Sequence, residues 1–381
     1  MPSLLARAQY VVLDTAHWDG WIRDSISSDA KKRRAAESFD QGLKDAGAVV
    51  LLSLHHLVEL LKYQNAHVAE RRLRFLQEQS LVAWIAADDG SPRLGNITDI
   101  LAAEVRASCE FPGAGLSVVR ERAARDLIRV GTGAQACAPD TPWMALRPYL
   151  WQQEERDREI AIIARTRFGD HAKVTIREFM RSSVRSPDDV ARQLWKDKYR
   201  LAEQITRRGD RRLMSPNTAS LKFYEEVAEL AGPHPTNAAE LMARIFSEAG
   251  VDISEIDPDT TMEEATDLCQ FRAQMKVISE KISKPLAALK AVDRSQVPTW
   301  VIKWCLIRYG QDLDEHLGSD VTDWHIACLA PYADMTFVDK RTMENCRRAS
   351  QRSADFASLM SRIQKVPNYL EIPGRLEPIL A

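Results

Sequence analysis

Five acidic residues stand where their type and spacing can do chemistry together: Asp14, Glu59, Asp320, Asp323 and Asp339. Asp14 closes the apolar run Tyr10-Val11-Val12-Leu13, and Asp339 closes Met335-Thr336-Phe337-Val338. Glu59 falls on a helical stretch just after Ala48-Val49-Val50-Leu51-Leu52-Ser53. Asp320 and Asp323 open another helical stretch, where their i, i+3 spacing sets both on one face. In open parallel sheets, ligands bind beyond the carboxyl ends of the strands. Acids at those ends converge on one edge, and such a cluster repels itself unless a cation sits in it. All-oxygen donors suit Mg²⁺ or Mn²⁺. One or two such ions can activate a water and stabilise the leaving oxygen in phosphodiester hydrolysis. The expected metal ligands are Asp14, Glu59, Asp323 and Asp339. Asp320 is expected either to assist catalysis or to cap its helix.

The elements that must position these acids are short. Tyr10–Asp14, 48–53 and 81–85 read as strands of a buried parallel sheet, since both faces are apolar. Helices are expected over 18–46, 54–63 and 66–79, with Gly47 stopping the first. Strand and helix alternate as in an open α/β sheet. Gly/Pro-rich stretches at 111–115 and 131–142 read as loops. From about 143 to 292 the pattern is helical, and Ser186-Pro187-Asp188-Asp189 is a strong helix start. The α/β pattern returns with a helix over 320–330, the strand 335–339 and a helix over about 341–364. The expected fold is α/β: an open, mostly parallel sheet flanked by helices, built from both termini, with an inserted all-helical domain. The expected divisions are 1–90 (sheet domain, first part), 91–142 (irregular or helical connection), 143–299 (helical insertion) and 300–381 (sheet domain, second part, and tail).

Composition is consistent with a core-forming chain. Of 381 residues, 45% are hydrophobic and 28% charged, which excludes a disordered or collagen-like chain. No apolar run reaches the ~20 residues needed to span a membrane, so no membrane partner is expected. The six Cys are scattered, with no Cys-x-x-Cys pair. Reduced thiols and a cytoplasmic location are expected. The formal charge is -2, yet residues 165–212 hold 14 Lys and Arg against 7 Asp and Glu. A basic segment of that kind attracts a polyanion or simply faces solvent with i, i+4 ion pairs. Its aromatics Phe168, Phe179, Trp195 and Tyr199 are at helical spacing and are expected in the core. His55 and His56 precede Glu59, and the expectation is one packed and one solvated. Lys340, Arg341, Arg347 and Arg348 follow the last acid and could hold a phosphate.

Taken in order, Val12-Leu13-Asp14-Thr15, Leu52-Ser53-Leu54-His55-His56-Leu57-Val58-Glu59-Leu60, Asp323-Trp324-His325-Ile326-Ala327 and Phe337-Val338-Asp339-Lys340 resemble the PIN domain family of metal-dependent nucleases. That family places an Asp after its first strand, a Glu on the helix after the second, an Asp at the head of a later helix and an Asp after the last buried strand. Asp14, Glu59, Asp323 and Asp339 match these, and Asp320 is an additional acid. The resemblance covers about 8–85 and 317–365. Val338 stands where the family often has Thr or Ser, and many members lack so large a helical insertion. The resemblance implies hydrolysis of RNA in preference to DNA, in a toxin-like or phage-defence setting, with a homo-oligomeric or regulatory protein partner. The alternative is a catalytically inactive PIN-like scaffold that binds nucleic acid or protein. A haloacid-dehalogenase-like phosphohydrolase wants Asp-x-Asp, and Asp14-Thr15-Ala16 lacks the second acid. No Gly-rich turn follows Asp14, which argues against a dinucleotide site.

Overall fold

The strands are β1 (Gln9–Leu13), β2 (Ala48–Leu52), β3 (Val82–Ile85), β4 (Ile128–Gly131), β5 (Met335–Val338) and β6 (Ile363–Lys365). They form one sheet in the order β4-β3-β2-β1-β5-β6. All neighbours are parallel except β3 and β4. The computed structural model describes residues 8–91, 93–163, 173–181, 186–210, 212, 215–231, 237–311 and 319–376. The chain divides into two units, 1–153 with 295–311 and 322–381, and 154–294 with 312–321.

The sheet is apolar on both faces because helices cover both. Val11, Leu13, Val50, Leu52 and Trp84 pack with Trp18, Trp21, Phe39, Leu57 and Tyr369. Val12, Val49, Leu51, Ala83 and Ile85 point the other way, to Ile100, Leu127, Ile326, Leu329 and Tyr332. Unbroken apolar runs such as Val49–Leu52 are what a strand buried on both faces requires. Burying the sheet this way supplies roughly 1.5–3 kcal/mol for each large aliphatic side chain.

Several boundaries differ from the sequence expectation. The stretch 18–46 is two helices, Thr15–Ser25 and Ala30–Asp45, the second capped by the Asp29 carboxylate on the Lys31 amide at 2.8 Å. The 91–142 stretch belongs to the sheet unit. It supplies the helices Ile97–Glu110 and Leu116–Leu127 and the edge strand β4. Strand β4 is only four residues long and half-exposed, so it lacks the apolar run that marks a central strand. The expected helix over 341–364 is Lys340–Ser350, Ala354–Leu359 and then β6, with Ser353 capping the second piece. The tail at Asn368–Leu376 folds back onto the core, with Tyr369 and Ile372 buried.

The second unit is helical in its described residues, apart from an isolated bridge between Thr175 and Thr261. Ile176, Met242, Phe246, Val251 and Ala265 form one of its apolar cores. Ser186 caps the helix Pro187–Arg208 and Thr261 caps Met262–Lys281, each through the backbone amide three residues on. Among the described residues, no helix is long and apolar enough to cross a membrane.

One buried acid in the sheet unit carries a heavy electrostatic load. Glu104 is 0% exposed and accepts hydrogen bonds from the Thr299 amide, the Thr299 hydroxyl at 2.8 Å and the Tyr332 hydroxyl at 2.6 Å. It thereby pins the start of the helix Pro298–Tyr309 to the helix Ile97–Glu110. Burial pushes its carboxyl up to about 7, and the three donors oppose that only in part. A folded pKa above the unfolded one stabilises fully below the unfolded value and is lost as pH rises through the folded value. Across that window, from the ordinary value of 4.5 to about 7, wild type should lose about 3 kcal/mol relative to Glu104→Gln. Urea midpoints over this range test it; parallel curves would remove the effect.

Candidate functional site

Asp14 and Asp339 end adjacent parallel strands. Leu13 pairs with Phe337, and the Asp14 amide donates to the Phe337 carbonyl at 3.0 Å. Both acids are helix N-caps, which explains why the chain turns from strand to helix there. The Asp14 Oδ1 accepts from the amides of Ala16 at 2.7 Å and His17 at 3.1 Å. The Asp339 Oδ1 accepts from the Thr342 amide at 2.7 Å. Each carboxylate thus uses one oxygen for positioning. Asp14 is largely buried, and burial raises its pKa; His17 and the two amides oppose this, while the Asp339 charge adds to it.

His17 was not anticipated, although its spacing from Asp14 offered a signal: i+3 on the same helix. Its Nε2 donates to the Val366 carbonyl at 2.8 Å, which leaves Nδ1 facing Asp14 Oδ1 at 3.4 Å.

Glu59 sits on the helix Leu54–Leu61, half-buried. Its Oε1 accepts from the Thr322 hydroxyl at 3.1 Å and from the Lys62 ammonium at 3.2 Å. The first bond ties Glu59 to the helix Ser319–Ala327, one residue from Asp323. The second supplies a cation from the chain itself. The buried Arg147 fixes the far end of the Glu59 helix by donating to the carbonyls of Leu61 at 3.0 Å and Gln64 at 3.0 Å.

Asp323 is half-buried. Its charge and that of Asp339 both reach Cys346, whose thiol is pushed up to about 12, chiefly by burial. Asp320 is 3% exposed and lies inside the first turn of its helix, which begins at Ser319, so it is not the cap. It falls in the second unit, whereas Asp323 falls in the first. Asp14, Glu59, Asp323 and Asp339 therefore all belong to the sheet unit. Neighbouring strand ends join Asp14 to Asp339, Cys346 lies within reach of both Asp323 and Asp339, and Glu59 reaches the residue beside Asp323. Among the described residues, no three His, Cys, Asp or Glu side chains stand as a group that could hold a metal ion.

Of the two histidines before Glu59, His56 is fully buried and His55 is half-buried against other side chains, where one was expected in solvent. His56 is 0% exposed; its Nε2 donates to the Leu13 carbonyl at 2.9 Å, and its Nδ1 accepts from the Ser53 amide at 3.1 Å. It ties the end of β1 to the end of β2. His55 Nε2 accepts from the Ile97 amide at 3.2 Å, and its ring lies 4.3 Å from that of His325. Burial drives His55 down to about 3 and His325 well below its ordinary value; Lys62 contributes to both and Lys303 to the second. Two imidazoles held neutral by burial thus lie against each other, with the Lys62 charge acting on both.

Compared with protein-family models, curated proteins and solved structures, the chain matches none.

The expected phosphate holders after Asp339 divide. Arg347 and Arg348 both pair with Glu344 on their own helix, at 2.8 and 3.0 Å, and face solvent. The basic helix Pro187–Arg208 reverses another expectation. Trp195 is 55% and Tyr199 64% exposed, not core. Their rings lie 5.8 Å apart, and the Lys198 ammonium sits 4.6 Å over the indole. Arg192 and Arg200 pair with Asp189 and Asp197 on the same helix, as a solvated face does. Phe168 and Arg211 lie outside the described residues.

His56→Ala leaves the Leu13 carbonyl and the Ser53 amide without their partner and should cost about 2 kcal/mol or more at pH 7. Burial holds His56 down at about 4. A depressed folded pKa stabilises above the unfolded value, 6.5, and is lost as pH falls through about 4. Denaturant midpoints should therefore fall less steeply with acid in the variant than in wild type. Equal slopes would show that His56 is not held neutral.

Proposed function

We propose that this chain is a divalent-metal-dependent nuclease of PIN-like architecture, acting on RNA. The observation that carries the reading is the pair formed by Asp14 and Asp339 at neighbouring carboxyl ends of a parallel sheet. Burial and the second negative charge both disfavour ionised Asp14, which is the condition a bound cation relieves. The donor set suits a hard cation. The Oδ1 of Asp14 and of Asp339 and the Oε1 of Glu59 are committed to positioning, and among the described residues the opposite oxygen of each accepts no hydrogen bond. Mg²⁺ or Mn²⁺ would be held by Asp14 and Asp339, and Asp323 and Glu59 would have to move toward it to complete the set, since no three such ligands stand together among the described residues. Such an ion supplies Lewis acidity toward a phosphodiester. Asp320, which falls in the second unit, has no place in this scheme.

The chain's own groups divide the remaining work. Main-chain amides of the two capped helices orient Asp14 and Asp339. The Thr322 hydroxyl and Lys62 fix the Glu59 carboxylate. The His17 ring stands 3.4 Å from Asp14 Oδ1 through Nδ1. The exposed Trp195–Tyr199 pair with Lys198 supplies a stacking platform for unpaired bases, which is sequence-tolerant because every base presents a π-face.

A second reading, an inactive nucleic-acid-binding scaffold of the same architecture, is favoured by the Lys62–Glu59 ion pair, which gives one acid a partner from the chain itself. One assay separates the two. With labelled single-stranded RNA and DNA and either ion, wild type should cleave RNA, and Asp14→Asn and Asp339→Asn should each cut the rate about 100-fold or more. Equal rates in wild type and both variants would leave only the scaffold. Separately, Trp195→Ala combined with Tyr199→Ala should weaken binding of single-stranded RNA about tenfold or more, by filter binding at fixed salt. Unchanged affinity would remove the platform.

A further inference from the structure

A cleft of about 710 Å³ opens on the sheet unit, lined by Tyr10, Arg120, Arg125, Tyr332 and Arg362 among others. It lies at the opposite end of the strands from the acids. Tyr10 is the second residue of β1, Asp334 immediately precedes β5, and Arg362 immediately precedes β6. Four residue steps along the strand separate Tyr10 from Asp14, roughly 13 Å.

The charge of the lining favours an anion. Three guanidiniums face two carboxylates, Glu121 and Asp334. Asp334 is already committed, accepting from the Tyr10 amide at 2.8 Å through Oδ2 and lying 3.3 Å from Arg362 through Oδ1. That pairing holds Arg362 at the rim. Arg120 lies 3.5 Å from Glu121. Arg125, on the same helix and exposed, makes no ion pair among the described residues. Guanidiniums suit phosphate because their planar N–H fork meets two oxygens at once.

The rest of the lining favours a planar, less polar body attached to that anion. Tyr10 is half-buried and lines the cleft, and Ile128 and Pro331 add apolar wall. Tyr332 forms a fixed floor, since its hydroxyl donates inward to the buried Glu104 at 2.6 Å. A space of this size is of the class that holds small organic ligands, where apolar walls and a few placed polar groups share recognition. We propose that this cleft binds a nucleoside phosphate, with the phosphate on Arg120, Arg125 and Arg362 and the base against Tyr10. The site is separate from the carboxylate edge and does not depend on the nuclease reading.

Isothermal titration with AMP and ATP in EDTA, on the full chain, tests this. Binding is expected in wild type and in Asp14→Asn alike. It should weaken about tenfold or more in Arg125→Ala combined with Arg362→Ala, two exposed positions whose replacement leaves the core intact. Ribose 5-phosphate and inorganic phosphate should bind more weakly than AMP. A 5′-phosphorylated oligonucleotide that displaces AMP and binds more tightly would assign the ligand to a nucleic-acid end, and failure to displace would assign it to the free nucleotide; both keep the site. No nucleotide binding, equal binding in the double arginine variant, or loss of binding in Asp14→Asn would each overturn the proposal. Ribose 5-phosphate binding as well as AMP would overturn the role of the base.

Discussion

The amide of Asp14 donates to the carbonyl of Phe337 across 3.0 Å, at the last rung of the β1–β5 ladder. That ladder joins the two ends of the chain. Without it, Asp14 and Asp339 would be remote acids with ordinary capping roles. With it, they share one sheet edge and each feels the other's charge. The helices that follow both strands then aim their first amides at the carboxylates. Positive helix ends and local hydrogen bonds hold in place two like charges that would otherwise separate.

The same edge is organised by burying polar groups in forms that suit burial. His56 bridges the ends of β1 and β2 as a neutral ring, with one nitrogen donating and the other accepting. His55 accepts from a backbone amide, and its neighbour His325 is likewise held neutral by burial. Across the sheet, Glu104 is pushed toward protonation while it accepts from Thr299 and Tyr332. In each case desolvation penalises the charged form, and hydrogen bonds decide how much of the penalty remains. Glu59 takes a cation from the chain itself, Lys62, and Asp14 and Asp339 adjoin at neighbouring strand ends.

The opposite end of the sheet has the reverse polarity. There arginines outnumber acids around an open cleft, and the aromatic floor is anchored by the Tyr332–Glu104 bond. Strand direction explains the separation: side chains at the two ends of β1 cannot reach one another. The second unit contributes a different kind of surface, a helix whose exposed indole and phenol rings stand among ion pairs.

Local features were legible in the sequence because they are local in physics. Apolar runs such as Val49–Leu52 specify strands buried on both faces, and Ser186-Pro187 specifies a helix start. The order of acids at strand ends could be read too. What could not be read depends on which segments become neighbours. The short edge strands β4 and β6 have too few residues to carry a period and exist only because β3 and β5 offer unpaired backbone. The contact of the His55 and His325 rings, the exposure of Trp195 and Tyr199 and the elevated Glu104 carboxyl have no signature in spacing. Each follows from the residues that packing brings from elsewhere in the chain. Sequence alone determined the elements and the acids at their ends; tertiary structure decided which charges meet and which lose water, because Coulomb and solvation energies depend on distance in space.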